Sequence, residues 1–364
     1  MLSEIGRRLR LTIFGTSHGP AVGCVLEGLP AGFTIDMESL RTFLNRRRPG
    51  ASLTSRLQEQ DMPRFTAGID KQGVCDGKPL AAMIANRDAR AGDYRMLKAK
   101  PRPGQADYPA YCKYGSRLDM AGSPFSGRLT APLCLAGGIA VQLLAEDGIF
   151  VGSHLLRIGK VEDSPLPLYP TRQLLAGLSR KVIPVLDDEA GRRMQLAAEL
   201  ARQQGDSLGG IIQAAAIGLP VGLGGPLFAG LEPRLAAVLM AIPAAKGIEF
   251  GAGFGSARLR GSQNNDSFYR RYDGSIATAS NNCGGILGGM SNGMPLTLQM
   301  AFKPTPCIAL EQRTVDMASG KETPTQSKGR HDPCVALRCC PIVEAAMALV
   351  LADMLMEARE TICI

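Results

Sequence analysis

The chain repeats one turn-and-strand pattern, and this repeat limits the folds available to it. Residues 19–32 contain a glycine turn, an apolar run and Gly-Leu-Pro-Ala-Gly, and residues 207–222 repeat that order, ending in Gly-Leu-Pro-Val-Gly. Further along, Gly-Val-Cys-Asp-Gly-Lys-Pro-Leu at 73–80 matches Gly-Met-Ser-Asn-Gly-Met-Pro-Leu at 289–296. Two matches in the same order predict a duplicated strand-and-helix unit. We expect a single domain over residues 1–364 with a pseudo-twofold core, its copies covering roughly 8–145 and 195–355.

Five segments between the strand-like runs have apolar residues at helical spacing. They are 37–45 with Asp36 as N-cap, 128–146, 189–204, 231–241 and 342–359. The predicted strands are short, end at glycine and do not alternate regularly with the helices, and no dinucleotide-binding glycine motif follows a strand. The pattern therefore predicts the α+β class, with antiparallel sheets and central helices. The apolar stretches 133–144 and 342–355 are interrupted or too short to span a bilayer, so we expect buried helices there.

Charge and aromatic content narrow the expected ligands. Basic residues number 41 and acidic residues 33, so the formal charge is +8, which favours anionic partners. Aromatic residues make up 5% and tryptophan is absent, so there is little surface on which nucleic-acid bases could stack. We therefore expect a small phosphorylated or carboxylated ligand rather than nucleic acid or a membrane.

Cysteine usage points to a reducing compartment. The ten cysteines include no Cys-x-x-Cys pair, so zinc spacing is absent and no metal is expected. Their scatter predicts reduced thiols in a cytoplasmic protein. The N-terminus has a charged residue within its first four positions and lacks a long apolar core, so we expect no signal peptide.

Two of the three histidines lie in loops suited to chemistry. His18 follows Ser17 in a glycine-rich turn, where an imidazole can donate or accept a proton, although a solvated or structural histidine fits the same pattern. His331 lies between Arg330, which can bind a phosphate or carboxylate, and Asp332, a candidate base. Alternatively, Asp332 ahead of Pro333 caps the start of a helix.

Cations also cluster in rigid surroundings. Arg46, Arg47 and Arg48 precede Pro-Gly, where they form either a solvated helix end or an anion-binding rim. Lys246 and Lys303 lie in loops of small residues and proline, whose backbone can approach a phosphate or a flat ring closely.

A series of short blocks along the whole chain resembles the chorismate synthase family. The blocks are Gly-Thr-Ser-His-Gly at 15–19, Arg-Arg-Arg-Pro-Gly at 46–50, Arg-Pro-Gly at 102–104, Ala-Asp-Tyr at 106–108, Lys-Tyr-Gly at 113–115, Asp-Ser-Leu-Gly-Gly at 206–210, Ala-Lys-Gly-Ile-Glu-Phe-Gly at 245–251, Asn-Asn-Cys-Gly-Gly-Ile-Leu-Gly-Gly at 281–289, Lys-Pro-Thr-Pro at 303–306 and Gly-Arg-His-Asp-Pro-Cys at 329–334. Each block alone is weak evidence for the family, but all of them in this order are highly specific for it.

The resemblance implies a lyase that converts 5-enolpyruvylshikimate-3-phosphate into chorismate and phosphate by 1,4-anti elimination, with reduced FMN and no net oxidation. It implies a homotetramer whose subunits hold helices between antiparallel sheets. Reduced flavin would come from the protein's own use of NADPH or from an external flavin reductase.

The resemblance also assigns roles to residues. His18 is expected to serve the departing phosphate as an acid, Asp332 to help the flavin take the proton, and Ser17 to join them as a catalytic residue. The expected substrate-binding residues are Arg46, Arg47, Arg48, Arg128 and Arg330. The expected cofactor-binding residues are Ser126, Ala244, Gly288, Lys303, Pro304, Thr305, Pro306, Cys307 and Arg330.

Some positions depart from the family pattern. Gln105 stands where the family has its second catalytic histidine, and an amide neither gives up nor takes a proton at neutral pH, although it can hydrogen-bond. In the loop 117–130, Met120 and Pro124 replace arginines and Leu129 replaces a glutamate, while Thr16 replaces a glutamate and Cys307 a serine. These changes leave an alternative open, in which the chain is a slow or non-catalytic paralogue that binds FMN or a related phosphorylated acid.

Overall fold

Two five-stranded antiparallel sheets frame the computed structural model, which describes residues 3–48, 61–86, 100–115, 124–326 and 332–361. The first sheet has the order β1-β2-β3-β5-β4. Its strands are β1 (Glu4–Ile5), β2 (Arg10–Gly15), β3 (Ala21–Glu27), β4 (Pro63–Ala67) and β5 (Leu80–Ala85). The second sheet has the order β7-β6-β8-β14-β9. Its strands are β6 (Phe150–Ile158), β7 (Val161–Glu162), β8 (Gly210–Ile217), β9 (Ala245–Phe250) and β14 (Leu296–Phe302).

Shorter strand pairs and the helices complete the described elements. The pairs are β10 (Phe268–Arg270) with β11 (Ile276–Thr278), β12 (Ile286–Leu287) with β13 (Met290–Ser291), and β15 (Gln312–Val315) with β16 (Glu322–Thr325). The α-helices are α1 (Met37–Arg47), α2 (Asp107–Tyr114), α3 (Thr130–Glu146), α4 (Arg172–Arg180), α5 (Asp188–Gln203), α6 (Leu231–Leu239), α7 (Gly261–Asn264) and α8 (Cys340–Thr361). Short 3-10 turns occupy Gly127–Leu129, Leu227–Ala229, Gly253–Arg258 and Val335–Arg338.

Helices α3 and α8 form the centre of the core, because both are buried on nearly every side. They approach so closely that a Cβ atom built on Gly137 would lie 2.2 Å from the Cβ of Ala345. Residues 127–146 are long and apolar enough to cross a membrane, but 72% of the most apolar window is buried inside the protein. The prediction of buried helices in these two apolar stretches is therefore confirmed.

The two sheets share one order of elements. In the first half, β2 and β3 are followed by α1, then β4, β5 and α3, and the sheet order is β2-β3-β5-β4. In the second, β6 and β8 are followed by α6, then β9, β14 and α8, and the sheet order is β6-β8-β14-β9. This correspondence supports the duplication, whose boundaries stay a prediction. The second series begins at Phe150, earlier than the expected start near residue 195.

The predicted fold class is confirmed, and the five predicted helices appear as α1, α3, α5, α6 and α8. Helix α1 begins as expected, with the Asp36 carboxylate accepting the backbone N–H groups of Glu38 and Ser39. The alternative that gave Asp332 the role of a helix cap is wrong. The nearest 3-10 turn follows Cys334, and α8 itself begins at Cys340.

Candidate active site

One cavity of about 440 Å³ collects most of the residues that the sequence singled out. Its wall includes the β2–β3 loop, the end of α1 and the segment before α2. The loop that precedes β9 and the loop that follows β14 complete this part of the wall. The first residue of α3, Thr130, and an early residue of α8, Ile342, also line it. Helix N-terminal ends carry partial positive charge, so both of these ends favour an anion in the cavity.

The loop between β2 and β3 brings Ser17 and His18 to the cavity wall. It turns at Gly15, whose φ of +93° suits glycine, and a Cβ there would lie 2.4 Å from the carbonyl oxygen of Ala21. Outside the loop, the Asn86 amide donates from Nδ2 to the carbonyl oxygens of Thr16 and Gly19, at 2.9 and 2.8 Å. His18 therefore lies in a short turn that two hydrogen bonds from Asn86 hold in place.

A buried carboxylate, Asp61, lies between two arginines. One oxygen accepts from Nη2 of Arg47 and the other from Nη1 of Arg128, and the Asp61 side chain is fully buried. Burial by itself raises the pKa of the Asp61 carboxyl, but the two guanidinium charges outweigh that effect and hold the pKa below its ordinary value. One carboxylate between two cations leaves one positive charge in excess within the triad.

Arg47 is the member of this triad that lines the cavity, although it is only 4% exposed. Its Nη1 donates to the Thr130 hydroxyl at 3.3 Å. Its Nε has no hydrogen-bond partner among the described residues. A buried N–H without a partner is costly, so an anion that reached this guanidinium would be bound favourably.

The neighbouring Arg46 has a different position. Its guanidinium forms a two-pronged ion pair with Glu344, at 2.6 and 2.8 Å, and Glu344 also accepts the Ser153 hydroxyl at 2.7 Å. Burial lowers the pKa of Arg46, but the Glu344 charge outweighs it and the net pKa is raised. Arg46 thereby ties α1 to α8 and does not line the cavity.

The segment before α2 contributes a fixed ion pair and the position that departs from the family. Arg102 donates from Nε and Nη2 to the two oxygens of Asp107, at 2.8 and 2.9 Å. Gln105 donates from Nε2 to the sulfur of Cys307 at 3.1 Å, so two positions that differ from the family contact each other. Lys303 donates to the carbonyl oxygen of Gly104 at 2.5 Å, which joins the loop after β14 to this segment.

Only some of the remaining predicted site residues line the cavity. Ser126, Ala244, Thr305 and Pro306 line the cavity. In the part of the chain that the structure describes, several do not: Arg46, Arg48, Arg128, Gly288, Pro304 and Asp332. Asp332 instead pairs with Arg338 at 2.6 Å, and Arg338 itself lines the cavity. Arg330, like His331 and residues 117–123, lies outside the described residues.

Sequence reasoning missed the residues that hold the site from behind. Asp61 and Asn86 carry no local signal, because each is a single polar residue next to a strand. Arg102 and Asp107 lie inside blocks that the sequence had marked, yet their ion pair was not anticipated. Phe125 and Arg338 line the cavity without having been singled out.

In the part of the chain that the structure describes, two antiparallel sheets with central helices frame a cavity whose wall holds the imidazole of His18 and the guanidinium of Arg47. A family model for chorismate synthase matches residues 9–356. Chorismate synthase of Lancefieldella parvula is 42% identical over 98% of this chain and 96% of that protein, and the Thermococcus kodakarensis enzyme is 44% identical over 97% and 98%. A solved chorismate synthase structure superimposes with a TM-score of 0.77 at 28% identity, covering 97% of this chain and 93% of that one. The chain belongs to the chorismate synthase family, lyases that convert 5-enolpyruvylshikimate-3-phosphate into chorismate and phosphate.

Proposed function

We propose that the 440 Å³ cavity is where this chain carries out that elimination, with reduced FMN bound beside the substrate. The observation that carries the proposal is the meeting of His18, Arg47 and Lys303 on one cavity wall. Two helix N-terminal ends contribute further positive potential there. A substrate with two carboxylates and a phosphate needs this concentration of positive charge.

Arg47 is proposed as the direct anion ligand among the arginines expected at the substrate. Its position on the wall and its Nε without a described partner support this role. Arg46, Arg48 and Arg128 are proposed to act from behind the wall. Arg330 stays a prediction, since it lies outside the described residues.

His18 is proposed as the acid for the leaving group. In the reaction the carbon–oxygen bond to phosphate breaks with its electron pair on the phosphate. The ring C–H bond on the opposite face also breaks, its electron pair goes into the new ring double bond, and its proton passes to a base on that face, where Asp332 is proposed to assist. In its protonated form the imidazole gives a proton to the departing phosphate oxygen, becomes neutral and so reduces the charge that accumulates on the phosphate. Ser17 beside it is proposed to help orient the phosphate.

The cavity wall suits FMN in both shape and chemistry. Its volume lies within the roughly 300–1,000 Å³ of small-molecule sites. Thr305 presents a buried hydroxyl oxygen without a described partner. Ala244 has a φ of +72°, a strained value for a residue with a Cβ, and its carbonyl oxygen accepts the backbone N–H of Lys303 at 3.0 Å.

The proposed FMN-binding residues are Ser126, Ala244, Lys303, Thr305, Pro306 and Cys307, with Gly288, Pro304 and Arg330 as further expected contacts. When bound, reduced FMN supplies the electron-rich partner that this elimination requires without net oxidation. Asp332 is proposed to act on proton movement near the flavin, and its ion pair with Arg338 supports a position close to the cavity wall.

We propose a homotetramer, supported by strongly exposed apolar side chains on the turn Leu227–Ala229. Leu227 is 82% and Phe228 is 88% exposed in the single chain, as expected for surfaces that another subunit covers. A cytoplasmic location and reduction of FMN through NADPH or an external reductase are proposed from the resemblance. Light scattering on the purified protein tests the tetramer.

The first experiment mixes the purified protein anaerobically with chemically reduced FMN and 5-enolpyruvylshikimate-3-phosphate. Phosphate release and chorismate absorbance should rise together, and omission of FMN should stop both. His18→Ala should lose turnover by about 10²-fold or more while still binding FMN. Normal turnover in His18→Ala would remove His18 from the mechanism.

Gln105, in place of the family's histidine, is the reason to test a second candidate function. Because its amide neither gives up nor takes a proton at neutral pH, a slow or non-catalytic paralogue that binds FMN or a related phosphorylated acid is the alternative. Binding of both ligands without phosphate release in the same assay would favour that alternative.

A further inference from the structure

Asn86 is the residue that fixes the His18 loop from outside it. Its Nδ2 donates to the carbonyl oxygens of Thr16 and Gly19, one on each side of Ser17 and His18. Its Oδ1 accepts from Nε of Arg128 at 2.9 Å. With both amide protons and the amide oxygen engaged, the side chain has one orientation that satisfies all three bonds.

Arg128 connects this amide to the anion-binding wall. Its Nη1 donates to one oxygen of Asp61, whose other oxygen accepts from Nη2 of Arg47. A continuous run of polar contacts therefore leads from Arg47 through Asp61, Arg128 and Asn86 to the His18 loop. Its central members are buried, with Asp61 2% and Arg128 9% exposed, so water competes little for these bonds.

We propose that Asn86 is a positioning residue for His18, and that Arg128 and Asp61 hold it in register with Arg47. The anion ligand and the proton donor then keep one relative geometry. This inference rests on the proposed roles of His18 and Arg47, and Asn86 itself does not line the cavity. A misplacement of about 1 Å in a catalytic group can cost about 10²-fold in rate, so the brace has a measurable effect.

Three variants separate positioning from folding. Asn86→Ala removes all three bonds, whereas Asn86→Asp keeps the acceptor for Arg128 and loses the two donors to the loop. Both should lower kcat by about 10- to 100-fold with a much smaller change in KM. Gln142→Ala is the matched control, because the Gln142 amide also bridges backbone groups, the N–H and carbonyl of Asp36, and does not line the cavity. Its kcat should match wild type.

A double-mutant cycle tests whether Asn86 acts through His18. In the His18→Ala background, Asn86→Ala should cause little further loss, since the group that it positions is absent. An equal fold-loss in both backgrounds would overturn the proposal, as would full turnover in Asn86→Asp.

A histidine NMR spectrum keeps the inference testable without turnover. The chain has three histidines, so the His18 ring signal can be assigned by its loss in His18→Ala. Asn86→Asp should shift or broaden that signal, while His154, fully buried between Asp163 and Gln213, should keep its own. An unchanged His18 signal overturns the brace. A wild-type protein without turnover whose His18 signal still responds overturns only the proposed reaction.

Discussion

Replacing Asp61 with asparagine should destabilise the protein strongly, because this carboxylate serves two buried arginines at once. Each Asp61 oxygen accepts from a different guanidinium, and the Asp61, Arg47 and Arg128 side chains are 0%, 5% and 7% exposed. Asparagine keeps the size but removes the charge and turns an N–H₂ group toward one arginine. Removing one partner of a buried ion pair costs about 3–5 kcal/mol, a large share of a typical total stability of about 5–15 kcal/mol.

The pH dependence gives the prediction a second arm. Since the folded-state pKa of Asp61 lies below the ordinary aspartate value of about 3.9, the ionised carboxylate stabilises the folded state above that pH. This contribution is lost as the pH falls through the folded-state pKa. The difference in unfolding free energy between wild type and Asp61→Asn should therefore be constant near neutral pH and shrink below about pH 3.9.

Urea unfolding followed by circular dichroism measures both arms. Asp188→Asn is the matched control, because Asp188 pairs with Lys181 at 2.6 Å on the surface, where it is 74% exposed. Exposed pairs contribute little, so this control should unfold near the wild-type midpoint. If Asp61→Asn unfolds with the control, or if its deficit does not shrink in acid, the buried triad does not stabilise the fold as argued.

Three further predictions follow from particular contacts. Gly137→Ala should destabilise the protein by about 1–3 kcal/mol, because the added Cβ would overlap Ala345. The control is Gly177→Ala, where the added Cβ enters open space on a helix, so stability should stay the same or rise by up to about 1 kcal/mol. Thermal unfolding compares the two variants. Gln105→His should raise turnover, by up to about 10²–10⁴-fold, and an unchanged rate in the phosphate-release assay would shift attention to residues 117–130. Cys307 lines the cavity but is buried, so iodoacetamide should modify the exposed Cys112 first and Cys307 more slowly. Turnover should fall only as the Cys307 adduct accumulates, which peptide mass spectrometry follows, and bound substrate or Cys307→Ser should prevent that loss.

Much of the architecture was predictable because it rests on local patterns. Apolar residues at helical spacing located α1, α3, α5, α6 and α8, and Asp36 marked one helix start correctly. Helices α2, α4 and α7 were missed. Two of them, α2 and α7, are only eight and four residues long and give few turns of periodicity. Helix α2 also contains Pro109, which the first turn tolerates but which reads as a breaker in sequence.

The site was less predictable, because its geometry depends on partners far along the chain. Arg46 and Arg47 are adjacent, but successive helix residues point about 100° apart. Arg46 therefore faces Glu344, 298 residues away, while Arg47 faces Asp61 and the cavity. Nothing in the Arg-Arg-Arg run distinguishes them. The roles of Asp61 and Asn86 could not be predicted for the same reason, since only the folded sheet brings these residues behind the His18 loop.

The starts of α3 and α8 occupy equivalent places in the two halves, yet they meet at one cavity. A cavity framed by two like scaffolds would accept a ligand in either of two orientations if its lining were also alike. Here one helix start presents a threonine hydroxyl and the other is preceded by an arginine, and among the described residues the histidine on the wall, His18, belongs to the first half. Because the two similar helix starts carry different side chains, the cavity favours one orientation of an asymmetric ligand.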